Sequence, residues 1–250
     1  MNSGPPFLSI IIPVLNEAPL IAEFLRRTKR LGDSIEVIVA DGGSSDGTPM
    51  IAMPLADKVI LAPRGRASQM NAGAAIAHGE ILWFLHADSL PPANAVDKIR
   101  AALSDPRNAG GCFSLRYPRQ EWIYRVSDSL GNIGVKVFGF ALGDHGIFCR
   151  RNAFLAAGCY SIVPILEDAE LYRALARGGR MVQVRDEIVS DPRAFEKSGR
   201  YRTTGWYFLI LALYVLGVPI GTLNKIYRRF RRINRPSAAS KRPSLQMAAP

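Results

Sequence analysis

Several things are scarce in this 250-residue chain. It has only three cysteines, Cys112, Cys149 and Cys159, with no C-x-x-C spacing. That excludes a disulfide framework and a thiolate zinc site, and it fits a reducing compartment. No G-x-G-x-x-G follows the first apolar run, which counts against a dinucleotide-dependent oxidoreductase. The N-terminal "MNSGPPFLSIIIPVLNEA" lacks a basic leader, and its short apolar run contains Pro13, so it reads as a strand rather than a signal peptide. Acids are missing from one whole region. From Lys197 to Pro250 there are 11 Lys+Arg and no Asp or Glu, leaving 21 Lys+Arg against 21 Asp+Glu in residues 1–196. The net charge of +11 is therefore a C-terminal property. A basic tail with an anionic partner fits, and a broad nucleic-acid surface does not.

In the first hundred residues, continuous apolar runs alternate with helix-like segments. The runs are Phe7–Leu15, Ile35–Ala40, Lys58–Ala62 and Ile81–Ala87; between them lie Glu17–Leu31, Gly47–Met53 and Ala67–His78. Uninterrupted runs of this length suit strands covered on both faces, and the alternation predicts an α/β fold with a mostly parallel sheet. The spacing further predicts a helix over Pro91–Leu103, an antiparallel strand over Ala109–Tyr117, helices over Glu121–Val137 and Ile165–Gly179, and a last strand in "RMVQVRDEIV". Residues 205–223, "GWYFLILALYVLGVPIGTL", are uncharged and flanked by cations on both sides. A helix at the membrane interface, a re-entrant hairpin, a true span and a helix packed on the domain all stand as readings. The expected organisation is a domain over 1–202, an apolar helix and basic membrane-associating segment over 203–235, and a disordered tail over 236–250.

Ligands of parallel sheets bind beyond the carboxyl ends of the strands. The residues just past the runs are Asn16-Glu17, Asp41 to Asp46, Arg64-Gly65-Arg66 and His86-Ala87-Asp88. Caps and turns explain any one of these segments, such as Asp46 before Gly47, but poorly explain all four. A sugar nucleotide would use such an edge. Its leaving diphosphate calls for a hard cation held by carboxylate oxygen, and Asp88 is placed to hold it. Asp41 suits the base and ribose, and Arg66, Gln69 and Asn71 suit the phosphates. Glu167-Asp168, opening a helix, offers a general base for an acceptor hydroxyl.

"SIIIPVLNEA", "VIVADGGSSDGT", "GRASQMNAGAAIAHGEILWFLHADS" and "LEDAELYRAL" together resemble the inverting family 2 glycosyltransferases of GT-A fold, and most of all a short bacterial subgroup. The resemblance runs over about residues 7–200. It implies a Rossmann-like nucleotide-binding half followed by an acceptor-binding half, to which the apolar run read above adds a C-terminal apolar helix. It implies that Pro13, Asn16, Glu17, Asp41, Ser44, Arg66, Gln69, Asn71, His86 and Asp88 line the donor site, that Asp88 holds a divalent cation (Mn or Mg), and that Asp168, with Glu167 beside it, is the catalytic base. Asp144 and His145 of "GDHG" stand where an acceptor or sugar contact is expected, although a structural turn explains them equally. The chain departs from the family pattern where His86 replaces the first acid of the DxD metal motif. Imidazole favours manganese over magnesium if it ligates; otherwise His86 bonds the phosphate or orients a neighbour. The bland readings are a helix N-cap for Asp88 and a dipole-favoured first-turn acid for Asp168. The implied partners are a nucleotide-diphosphate sugar, a lipid-linked or membrane-proximal acceptor and an anionic membrane surface, at the cytoplasmic side of the cell membrane. Two alternatives remain: a non-catalytic membrane-associated scaffold of the same fold, and a sugar-nucleotide nucleotidyltransferase. The second lacks the glycine-arginine-rich loop expected after its first strand.

Overall fold

The computed structural model describes residues 6–118, 121–191 and 200–233. The chain divides into two compact units, Met1–Pro192 and Arg193–Pro250. In the first, four short strands run parallel: β1 (Leu8–Val14), β2 (Ile35–Asp41), β3 (Lys58–Leu61) and β4 (Ile81–Phe84). Successive strand residues point to opposite faces, which explains why the runs are apolar throughout. Ile10, Ile12, Val37, Val39 and Trp83 pack on one face with Ile21 and Leu25 of α1 (Ala18–Lys29) and Val96 and Ile99 of α4 (Ala95–Ala102). Ile11, Ile38, Leu82 and Phe84 pack on the other with Met70 of α3 (Arg66–Ala75) and Leu171 and Leu175 of α7 (Glu167–Gly178). The short α2 (Thr48–Ala52) completes the first half.

The second half extends the sheet. The strands β5 (Ser89–Leu90), β6 (Asn108–Arg116), β7 (Phe148–Arg150) and β8 (Arg180–Ser190) give the order β3-β2-β1-β4-β7-β6-β8-β5. β7 runs antiparallel to both β4 and β6, while β6 and β8 are parallel. The helices α5 (Trp122–Phe138) and α6 (Arg151–Ala156) complete this unit. The mixed α/β architecture, mostly parallel with helices on both faces, is the one expected. Details differ. β4 ends at Phe84, three residues earlier than the apolar run. The expected helix at Pro91 begins at Ala95, and its prolines lie ahead of it: Pro92 supplies the carbonyl that accepts from the Ala95 amide at 3.0 Å. The two-residue β5 and the six-residue α6 were too short to show a periodicity. The three thiols are free, and burial pushes that of Cys112 up to about 12.

In the second unit the expected apolar helix is broken in two. α8 (Arg200–Val215) and α9 (Ile220–Ile233) form an antiparallel hairpin, with the rings of Trp206 and Phe230 4.9 Å apart. Gly217 turns the chain at φ +81°, and Pro219 can donate no helical hydrogen bond, so the uncharged stretch 205–223 is not one helix. Among the described residues no helix is long and apolar enough to cross a membrane. α9 is strongly two-faced: Leu223 and Phe230 are buried while Lys225, Arg228 and Arg229 are exposed. The expected disordered tail, 236–250, lies outside the described residues.

Candidate functional site

Two turns meet at the carboxyl ends of β1 and β2, and their side chains lock them together. Asn16 sits in the left-handed region at φ 58°, and its Oδ1 accepts from the Ser45 amide at 2.9 Å. Its own amide donates to Ser44 Oγ at 2.8 Å. Asp41 Oδ2 accepts from the amides of Gly43 and Ser44, each at 3.0 Å, and Oδ1 from the Ser44 hydroxyl. Asp46 bridges to the start of α1 by accepting from the Ala18 amide at 3.0 Å. The N-cap position of α2 is Gly47, but Asp46 Oδ1 accepts from the Thr48 amide at 3.0 Å, so Asp46 covers the first amide of α2 as its position suggested and ties two turns together as well.

Beside these turns lies a cavity of about 340 Å³, lined by Pro13, Glu17, Arg64, Arg66, Gln69, His86 and Asp88 among others. That volume suits a small-molecule ligand. The lining brings six of the expected donor-site residues together, from three separate segments. Asp41, Asn16 and Ser44 shape the neighbouring turn and do not line the cavity. Gln69 is buried, with its Nε2 donating to the carbonyls of Val14 and Ala40, both at 2.8 Å, so it fastens the strand ends. The N-cap of α4 is Asn94, which removes the capping reading of Asp88.

A buried acidic cluster adjoins the cavity. Arg66, half-exposed, reaches Glu167 at 2.6 Å. Asp168, in the first turn of α7, is 4% exposed and accepts from the Tyr160 hydroxyl at 3.1 Å. Burial and the neighbouring Glu167 carboxylate raise the Asp168 carboxyl above the ordinary range, against the opposing pull of Arg66 and His86. His86 Nδ1 lies 3.6 Å from Asp144 Oδ1. Burial alone would lower the imidazole, but Asp144 and Asp168 outweigh it and the net shift is upward. His86 Nε2 is buried and makes no hydrogen bond. The 3-10 turn Gly143–His145 presses against this cluster. A Cβ on Gly143 would stand 2.3 Å from His86 Cε1 and 2.7 Å from Asp168 Oδ2, so only glycine fits there.

The turn's two acceptor-site candidates separate. Asp144 accepts from the Tyr117 hydroxyl at 3.2 Å and faces His86. His145 is buried with Nδ1 3.1 Å from the Phe113 carbonyl, and burial lowers its imidazole, which matches the structural-turn reading. Asn71 is also committed away from the cavity. Its Nδ2 donates to the Tyr160 carbonyl and its Oδ1 accepts from the Tyr160 amide, both at 2.9 Å. It thus positions Tyr160, and through Tyr160 the Asp168 carboxylate. Tyr160 carried no sequence signal, because it lies in the irregular "GCYS" and meets Asn71 from 89 positions away.

The donor set accommodates a divalent cation only as a shared site. Among the described residues no three His, Cys, Asp or Glu side chains converge as a metal cage. Asp88 supplies hard oxygen at the cavity wall, and oxygens of a diphosphate would have to complete the shell. The raised His86 imidazole, turned to Asp144, is better suited to a cationic role than to ligation.

The chain is similar to several known proteins. The undecaprenyl-phosphate 4-deoxy-4-formamido-L-arabinose transferase of Klebsiella pneumoniae is 28% identical over 198 residues, covering 70% of this chain and 60% of that protein. The protein of the same name from Salmonella paratyphi B is 27% identical over 157 residues, covering 57% and 47%. The chain thus spans about 60% or less of the length of these curated relatives. Among solved structures, a mannosyltransferase from Pyrobaculum calidifontis in complex with GDP-Man and Mn2+ superposes with a TM-score of 0.62 at 25% identity, covering 83% of this chain and 63% of that one. Glucosyl-3-phosphoglycerate synthase from Mycobacterium tuberculosis shares the fold, with a TM-score of 0.59 at 19% identity and coverage of 87% and 81%. The family model described as "Glycosyl transferase family 2" matches residues 9–152, more than half of the sequence, and the chain belongs to that family.

Proposed function

We propose that the protein is an inverting glycosyltransferase, dependent on a divalent cation, that moves a sugar from a nucleotide-diphosphate sugar to an acceptor hydroxyl close to a membrane. The observation that carries this reading is the convergence of Arg64, Arg66, His86 and Asp88 on one cavity, with Asp168 buried beside it. Arg64 and Arg66 would bind the diphosphate, and Glu17 and Pro13 would border the nucleoside. Asp88 would hold the cation, which supplies charge stabilisation for the leaving diphosphate. His86, whose imidazole Asp144 and Asp168 raise above its ordinary value, would add positive charge on the same side when protonated.

Asp168 would take the proton of the attacking hydroxyl. Its raised carboxyl is a stronger base than an ordinary carboxylate, and the Tyr160 hydroxyl fixes which oxygen faces the acceptor. Arg66 couples the two halves, because its ion pair with Glu167 ties the diphosphate side to the base. One displacement from the face opposite the diphosphate would invert the anomeric centre.

Support comes from the GDP-Man and Mn2+ in the mannosyltransferase, the UDP-Glc and Mn2+ in the glucosyl-3-phosphoglycerate synthase, and the undecaprenyl-phosphate in the names of the bacterial relatives. The basic two-faced α9 favours a membrane-proximal setting. A panel of sugar nucleotides screened by thermal shift, with and without Mn2+, tests the reading, since a ligand that binds the folded state raises its melting temperature. A metal-dependent rise is expected with at least one donor, and Asp88→Ala should abolish both it and turnover without unfolding the protein. A full metal-dependent shift in Asp88→Ala would overturn the assignment.

A further inference from the structure

The 17-residue α5 carries a second feature that the catalytic reading does not use. Trp122, Val126, Leu130, Ile133 and Val137 recur at intervals of three or four, so they share one side of the helix. All five are solvent-exposed, with Trp122 at 62%, Leu130 at 43% and Val137 at 66%. A contiguous apolar stripe of this length is uncommon on a protein surface and marks an interaction site.

The opposite side anchors the helix. Asn132 exchanges hydrogen bonds with Leu115 at 2.9 and 3.0 Å, and Asp128 Oδ1 accepts from the Tyr117 amide at 3.0 Å. Tyr117 in turn reaches Asp144 in the site, so the stripe belongs to an element braced against the acceptor-side turn.

Charge identifies what covers the stripe. The exposed polar residues along one edge of it are Arg125, Ser129 and Lys136. The only acid within the helix, Asp128, is on the packed side. The exposed N-cap residue Glu121 stands beside Trp122 at the amino end; along the rest of the stripe the exposed charges are Arg125 and Lys136, with tryptophan at one end. That is the composition of a helix lying in the headgroup region of an anionic bilayer.

We infer that α5 is a membrane-docking helix, whose apolar stripe enters an anionic phospholipid surface while Arg125 and Lys136 meet its headgroups. The inference deepens the membrane-proximal reading above by naming the surface that brings the acceptor side of the site to the lipid. It is separate from α9, whose cations lie in the other unit.

The test uses the full chain and phosphatidylcholine vesicles with and without phosphatidylglycerol, some carrying brominated acyl chains. Trp122 fluorescence should be quenched by the brominated lipid, and Trp122→Phe should remove that quenched component. The triple change Trp122→Ser, Leu130→Ser, Val137→Ser should weaken vesicle binding at least about tenfold, with the melting temperature and donor-induced shift retained. Quenching unaltered by Trp122→Phe, or triple-variant binding within about twofold of the parent, overturns the inference. A concentration-dependent dimer dissolved by the triple variant also overturns it, because a second copy would then cover the stripe. Vesicle docking needs no donor, so loss of Trp122 quenching and absence of sugar transfer are distinguishable failures.

Discussion

Two buried carboxylate clusters stand at opposite edges of the same sheet, and they differ in how well their oxygens are satisfied. At the amino edge Glu36 accepts from the Ser9 hydroxyl at 2.6 Å and the His78 amide at 2.8 Å, and its other oxygen lies 2.9 Å from the Lys58 ammonium. Burial would raise this carboxyl, but those donors outweigh it and hold it down to about 2. At the carboxyl edge Asp168 is more deeply buried, has Tyr160 and a nearby acid beside it, and its carboxyl is raised, burial being the largest cause. The same chemical group has its proton affinity lowered where donors saturate it and raised where burial and a neighbouring acid outweigh them. The saturated cluster ties β1, β2 and β3 at one edge, and the unsaturated one retains capacity for a proton or a substrate at the other.

The sharpest way to break this comparison is Asp168→Asn. Sugar transfer should fall by about 10²- to 10⁴-fold while the donor still raises the melting temperature. In the parent enzyme the rate should drop as pH falls through the raised Asp168 carboxyl, that is, above the range of an ordinary carboxylate, because only the deprotonated base accepts the proton. Near-normal transfer by Asp168→Asn would show that another group is the base.

At the amino edge the expected effect is on stability alone. Glu36→Gln should cost roughly 2–3 kcal/mol in denaturant unfolding at pH 7, with donor binding preserved in the folded fraction. The folded carboxyl lies below its unfolded value, so its contribution is complete above about 4.5 and is lost as pH falls toward 2. The pH dependence of the unfolding midpoint should flatten in the variant.

Asp128 gives the smallest effect and the opposite sign. Burial raises its carboxyl to about 6 although it accepts from the Tyr117 amide. Its folded value lies above the unfolded one, so stability declines as pH rises from about 4 to 6. Asp128→Asn keeps the acceptor and removes the charge. After discount for its half-buried position it should stabilise by about 1 kcal/mol at pH 7 and by nothing at pH 4. Calorimetric melting at the two pH values checks this.

Much of this was legible in the chain itself. Continuous apolar runs marked the four parallel strands because each is covered on both faces, and the polar residues after Leu15, Ala40, Ala62 and Leu85 marked the ligand edge. What each of those residues does there was less legible. Gln69 and Asn71 read as phosphate contacts, yet their amides close on backbone carbonyls and amides supplied by distant segments. For the uncharged stretch 205–223 the sequence left one helix and a hairpin both open, because hydropathy averages over the Gly217–Pro219 break that splits it.

Local pattern determined the strands, the crossover helices and the set of acids at the carboxyl edge, since hydrophobic periodicity and turn chemistry act over a few residues. Only the tertiary structure decided which acid is saturated and which is raised in proton affinity, because that depends on donors placed by the fold: Ser9 and Lys58 on Glu36, and Tyr160, itself held by Asn71 from 89 positions away, on Asp168. Proton affinity is a property of that assembled surround, and it is written in no single stretch of residues.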